Sequence, residues 1–131
     1  MRILLITQHF PPERGAVRRL YEFALYFKKQ GHQVTVLTAL PNYPDGVVPQ
    51  QYRGKFFLRE DISGLDVCRS YVLPASNAQP KKRMVGFLTF LASSVINSFR
   101  LKGKFDLVIA SSPPVTSSLS GYIISRLRRT K

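Results

Sequence analysis

The feature that most constrains this chain is a change of period within its first third. Residues 2–7, Arg-Ile-Leu-Leu-Ile-Thr, form an almost wholly apolar run that ends at polar Gln8 and His9. Such a run marks a strand covered on both faces, as in the middle of a parallel sheet. Past residues 8–15, which read as a loop, Val17, Leu20, Ala24 and Phe27 recur at three- and four-residue spacing, while Arg18, Arg19, Glu22 and Lys29 fall elsewhere on the wheel. That is an amphipathic helix. Lys28 and Lys29 suit the negative end of its dipole, and Gly31 is placed to end it in a left-handed conformation. Residues 33–38, Gln-Val-Thr-Val-Leu-Thr, then supply a second, β-branched strand. Strand, helix and strand in this order predict a parallel unit with a right-handed crossover.

The remainder extends the same alternation. Residues 40–54 hold Pro41, Pro44, Pro49, Gly46 and Gly54, and read as a long surface loop without regular structure. Residues 55–60 and 65–72 flank Asp61-Ile62-Ser63-Gly64 and predict an antiparallel hairpin or an excursion of the sheet. Pro80 opens a helix that the apolar residues 84–99 carry to about Arg100, with Gly103 as its stop. Residues 105–110 repeat the buried-strand pattern, and after Ser111-Ser112-Pro113-Pro114 a last helix covers residues 115–128. The expected fold is a single α/β domain, an open and mostly parallel sheet with helices on both faces. Ligands of such sheets lie at the carboxyl ends of the strands near a topological switch point, which singles out residues 8–16 and 111–114.

Twenty Lys and Arg against seven Asp and Glu give a net charge of +13. That field draws phosphates, acidic lipid headgroups or nucleic acid without naming a reaction. The basic residues are scattered along the whole chain and no nucleic-acid reading motif is present, so no specific nucleic-acid partner is expected. The single cysteine, Cys68, has no internal disulfide partner, and a reducing cytoplasm is the expected location. Residues 1–7 lack a small-residue cleavage site and read as a strand, not a signal peptide. Residues 84–99 fall short of the roughly 20 needed to span a bilayer, and they contain Ser93, Ser94, Asn97 and Ser98. Lys81-Lys82-Arg83 precede them and Arg100, Lys102 and Lys104 follow. This stretch is read as a core helix with solvated ends. The alternative, which Phe87, Phe90 and Phe99 keep open, is a helix lying on an anionic membrane surface at the inner face of the plasma membrane.

Gly15 sits just before the first helix, where free N–H groups and the dipole favour an anion and a glycine admits a phosphate close to the backbone. Arg14 and Arg18 add to the attraction; the alternative is a tight turn with solvated arginines. The spacing of a dinucleotide fingerprint or a P-loop is absent. Ser111 and Ser112 are candidates to hydrogen-bond a sugar or phosphate, against the commoner role of serine as a helix cap. His9 ends the first strand, but a histidine without a mapped carboxylate or serine partner reads as structural. His32 reads as a turn residue and Cys68 as a core-facing one. No metal-ligand spacing occurs, no cofactor is expected, and no catalytic residue is assigned.

Three stretches together resemble the family 4 retaining glycosyltransferases. They are residues 2–15, RILLITQHFPPERG, taken with the helix end running from Gly31-His32 into residues 33–38, and two downstream motifs. These motifs, Pro41-Asn42-Tyr43-Pro44 with Gly46 and FDLVIASSPP at residues 105–114, resemble the branch that includes L-fucosamine and other aminosugar transferases of surface polysaccharide assembly. The resemblance covers essentially the whole chain. It implies the Rossmann-like N-terminal half of a two-domain GT-B enzyme, with residues 1–131 as a truncated acceptor-side domain and the sugar-nucleotide domain absent. It further implies metal-independent, retaining transfer from a nucleotide-sugar donor to a glycan or polyprenyl-diphosphate-linked acceptor, with this part inactive alone. Carried over to this sequence, the glycine loop puts Gly15 at the cleft, with Ala16 where many relatives have a second glycine. Asn42 and Tyr43 join the candidate substrate-binding residues through the second motif. The readings from other classes are a free-standing basic α/β module that binds nucleic acid or another anionic ligand, and a peripheral membrane adaptor.

Overall fold

The computed structural model describes residues 1–13 and 17–131, and in them the alternating pattern becomes an α/β fold. Strand β1 (Arg2–Thr7) leads to helix α1 (Arg18–Lys29) and strand β2 (Gln33–Ala39). Strands β3 (Phe57–Ile62) and β4 (Leu65–Ser70) follow, then α2 (Pro80–Ser98), β5 (Leu107–Ala110) and α3 (Val115–Leu127). Among the described residues these strands form one five-stranded sheet in the order β3-β4-β2-β1-β5. β1 runs parallel to β2, with Ile3 opposite Val34 and Thr7 opposite Thr38, and parallel to β5, with Leu5 opposite Ile109. β2 and β4 are also parallel, whereas β3 is antiparallel to β4. The hairpin between them turns on Ser63 (φ 55°) and Gly64 (φ 80°), the pair of positive angles a two-residue type I′ turn requires. At the far side of the sheet, the Val108 N–H donates to the Lys131 carbonyl at 2.7 Å.

Side chains alternate across the sheet, so β1 feeds two cores. Leu4 and Ile6 join Leu37, Ala39, Cys68, Phe90 and Ile124 under α2 and α3. Leu5 joins Val34, Val36, Leu65 and Val67 with Ala24 of α1 on the opposite face. Each such fully buried aliphatic side chain contributes about 1.5–3 kcal/mol, which explains why the apolar run of β1 is continuous and not alternating. Gly31 (φ 91°) ends α1 as its position predicts.

Two expectations need correction. Residues 40–54 are not wholly irregular: Gln50–Tyr52 form a turn of 3-10 helix, and Asp45 makes an antiparallel bridge with Ser76. Tyr52 anchors this segment through a buried network. Its hydroxyl donates to Glu60 at 3.0–3.1 Å, and Arg69, fully buried, lies over its ring at 5.2 Å. Arg69 Nε donates to Glu60 Oε1 at 2.6 Å, and the other guanidinium nitrogens reach the carbonyls of Ala39 and Pro11. Burial and the hydrogen bond to Glu60 raise the Tyr52 pKa above its ordinary value.

Nor is α2 buried by its apolar side. The residues it turns inward are Gly86, Phe90, Ser93, Ser94, Asn97 and Ser98, whereas Met84, Val85, Leu88, Ile96 and Phe99 are exposed. Size decides this choice. A Cβ on Gly86 would meet the Leu73 carbonyl oxygen at 2.8 Å, too close for an alanine. Most of the buried polar groups on this face find partners: Ser93 Oγ donates to the Tyr71 carbonyl at 2.5 Å, Ser94 and Ser120 share a 2.5 Å hydrogen bond, and Asn97 Nδ2 donates to Ser70 Oγ at 2.8 Å, while Asn97 Oδ1 has no partner.

Candidate functional site

From β1 the chain passes to β2 on one side of the sheet, and only later to β5 on the other, so the carboxyl ends of β1 and β5 flank a switch point. A cleft of about 260 Å³ opens there. Its floor comes from the strand ends. Ser111, just past β5, donates its hydroxyl to Thr7 Oγ1 at 3.0 Å, and Thr7 Oγ1 in turn donates to the His9 carbonyl at 3.2 Å. Ser112 and the two prolines after it form one wall, and Val17, Arg19 and Leu20 form another.

The serines do not cap α3. The cap residue is Pro114, without any side-chain hydrogen bond, and Ser117 N–H reaches the Pro114 carbonyl at 3.1 Å. The two prolines set Ser111 and Ser112 too far from the first turn of α3 to cap it. Their hydroxyls are thereby released from the local role that sequence reasoning favoured.

His9 has the acidic partner the sequence did not reveal. Its Nδ1 lies 3.3 Å from Glu13 Oε2, with side-chain exposures of 24% for the histidine and 1% for the glutamate. The Glu13 carboxylate also accepts the N–H of Tyr43 at 2.7 Å, of Asn42 at 3.3 Å and of Phe10 at 3.4 Å. Glu13 thus holds the His9 loop and the 41–44 segment together. The tautomer that donates Nδ1–H to this carboxylate leaves Nε2 as an acceptor for a second partner. Neither residue lies on a regular element, so no periodicity links them, and nothing in the sequence singles out the acid.

Of the other predicted residues, Tyr43 reaches the cleft, its ring 4.9 Å from that of His9. Arg83, which the sequence placed only at the start of a basic-flanked helix, lies over Tyr43 at 5.6 Å and over Phe87 at 5.4 Å, and lines the cleft beside Tyr43. Its NH1 donates to Asn77 Oδ1 at 2.7 Å. Arg18 does not line the cleft: it pairs with Glu22 at 2.9 Å on the exposed side of α1, and one residue of helical rotation, about 100°, puts Arg19 there instead. Asn42 is a brace. Buried, it donates to the Leu40 carbonyl at 3.1 Å and accepts from Ala75 N–H at 3.5 Å. Arg14, Gly15 and Ala16 lie outside the described residues. His32 sits at the chain start, its Nδ1 3.0 Å from the terminal amine of Met1. Cys68 is buried, and desolvation, aided by the charge of Asp66 and opposed by Arg59, pushes its thiol up to about 12. A thiol held neutral in this way is unsuited to nucleophilic work.

Farther along the same edge of the sheet, beyond β2 and β4, a second hollow of about 590 Å³ is walled by Tyr52, Phe56 and Tyr71, with Arg53 and Lys55 at its rim. The smaller cleft is the stronger candidate because hydroxyls, an imidazole–carboxylate pair and two guanidinium groups converge on it. Such a set suits a ligand with both hydroxyl and phosphate groups. Among the described residues no three His, Cys, Asp or Glu side chains are grouped to hold a metal ion. No protein-family model matches this chain, and no curated protein aligns with it at a significant level.

Proposed function

We propose that this chain is the acceptor-side, Rossmann-like domain of a retaining glycosyltransferase of GT-B architecture, which moves a sugar from a nucleotide donor to a glycan or polyprenyl-diphosphate-linked acceptor. The observation that carries the reading is the cleft at the β1–β5 switch point, where His9 on buried Glu13 stands among the Thr7 and Ser111 hydroxyls with Arg19 and Arg83 at the walls. His9 accepts a hydrogen bond from an acceptor hydroxyl and orients it; the arginines hold phosphate charge. The second hollow, with its aromatic walls, gives the remainder of a long acceptor somewhere to lie. A donor-binding lobe opposite this edge would complete the reaction site.

The test is transfer of labelled sugar from nucleotide donors to a lipid-linked acceptor fraction by the full-length protein, with His9→Ala, Ser111→Ala and Arg83→Ala compared with the unaltered enzyme. About tenfold or greater losses are expected for His9 and Arg83, in line with removal of an orienting or charge-assisted hydrogen bond. Folded variants of both that retain full transfer would exclude this cleft as the site. The +13 charge supports a second reading, a module for anionic ligands. Salt-dependent binding of generic DNA, undisturbed by nucleotide sugar, is the result that favours it.

A further inference from the structure

We infer that the outward faces of α2 and α3 form one surface that rests on a bilayer containing anionic lipid. The inference is independent of the glycosyl-transfer reading. It begins with the inverted burial of α2. At about 100° per residue, Leu88 and Phe99 point nearly opposite to buried Phe90, and Met84, Val85 and Ile96 lie on the same outer side. A helix whose inner face is serine, asparagine and glycine, while its outer face carries the large apolar side chains, is built to have both sides covered.

α3 extends that surface. It packs beside α2 on the same face of the sheet, joined by the Ser94–Ser120 hydrogen bond at 2.5 Å. Val115, Leu119 and Tyr122 recur along its exposed side at three- and four-residue spacing, and Arg126 continues the row. No helix among the described residues is long and apolar enough to cross a membrane, so the geometry is that of helices lying on one.

Charge selects the occupant. Lys81 and Lys82 stand at the start of α2, and Arg100, Lys102 and Lys104 follow its end, all exposed. From residue 80 onward there are ten Lys and Arg against a single acid, Asp106, which is engaged by the Arg2 N–H at 2.7 Å. An apolar strip with cations at its ends matches acyl chains beneath anionic headgroups. Arg83, in the first turn of α2, lines the cleft, so a bilayer under this surface would lie close to the cleft mouth.

The chain contains no tryptophan, so Leu88→Trp is a single optical reporter. Its emission should shift to the blue on phosphatidylcholine vesicles containing phosphatidylglycerol, and far less on phosphatidylcholine alone. In co-sedimentation, Leu88→Glu with Phe99→Glu should weaken vesicle binding about tenfold or more with an unchanged unfolding midpoint. Lys81→Glu with Lys82→Glu and Arg100→Glu should abolish the preference for anionic vesicles. Soluble glycerol phosphate should not release the bound protein. The inference is overturned by an absence of vesicle binding, by equal binding to both vesicle types, or by release with glycerol phosphate. A lipid-independent dimer that Phe99→Glu dissolves, or a soluble protein partner that protects Leu88→Trp without lipid, overturns it equally.

Discussion

Gly121 is where the packing of α3 on the sheet is least forgiving. A Cβ built on it would stand 2.5 Å from the Cβ of Ala110 and 3.8 Å from Ile6 Cδ1. Carbon atoms prefer about 3.5–4.0 Å, so Gly121→Ala must separate helix and strand by about 1 Å. Both atoms are Cβ carbons fixed to backbone, and neither can rotate away. The cost therefore belongs near the top of the range for an overpacked core, about 3 kcal/mol, offset by the roughly 1 kcal/mol an alanine gains over glycine within a helix. The net is a destabilisation of about 2 kcal/mol, or a fall of roughly 5–10 °C in Tm for a domain of this size. Ala110 is followed directly by Ser111, so the same displacement moves a hydroxyl of the cleft floor. Adding Ala110→Gly should recover most of the loss, with a coupling energy of at least about 1 kcal/mol. Thermal and urea unfolding followed by circular dichroism measures both quantities. A Gly121→Ala protein as stable as the unaltered one, or two substitutions that simply add, would refute the reasoning.

Two further expectations follow from buried groups. With its thiol at about 12, Cys68 is a thiolate to only about one part in ten thousand at pH 8, so a disulfide reagent should not label the native protein there and should label one thiol after denaturation; rapid labelling of the native state would contradict the burial. Arg69→Met should cost about 3 kcal/mol because it strands the Glu60 carboxylate beside Tyr52, and adding Glu60→Gln should return part of that stability in the same unfolding assay, whereas a harmless single substitution would show the network to be dispensable.

Much of the fold can be read from hydrophobic period alone, because β1 is covered on both faces and β2 and the half-buried β5 are apolar enough to repeat its pattern. The hairpin is legible only in outline, from the turn residues 61–64; that β3 runs on to Ile62 and the turn narrows to Ser63-Gly64 is not. The faces of α2 are not legible. Its apolar run invites burial, but the sheet and α3 lie so close that, apart from Phe90, small residues take the inner positions, among them Gly86, Ser94 and Asn97. Arg69 escapes notice because a cation in a strand reads as solvated until its partners, distant in sequence, are known. In the cleft, Ser111 is legible from its place after a strand, whereas Tyr43 is reached only through the 41–44 motif of the resemblance. Arg19 is hidden by the ambiguity of one helical step, and Glu13 by the lack of any period in a proline-rich loop. Serine before a helix reads as a cap, and here Pro113 and Pro114 intervene.

The sheet finishes differently at its two margins. On the β3 side the outermost strand carries Arg59, Glu60 and Asp61 in succession, charges that discourage another chain from adding itself there. The opposite margin of the described sheet, Leu107-Val108-Ile109-Ala110, is uncharged, and there the Val108 N–H donates to the Lys131 carbonyl. Self-association through β3 is thus opposed by the strand's own charges, and neutralising them should invite it.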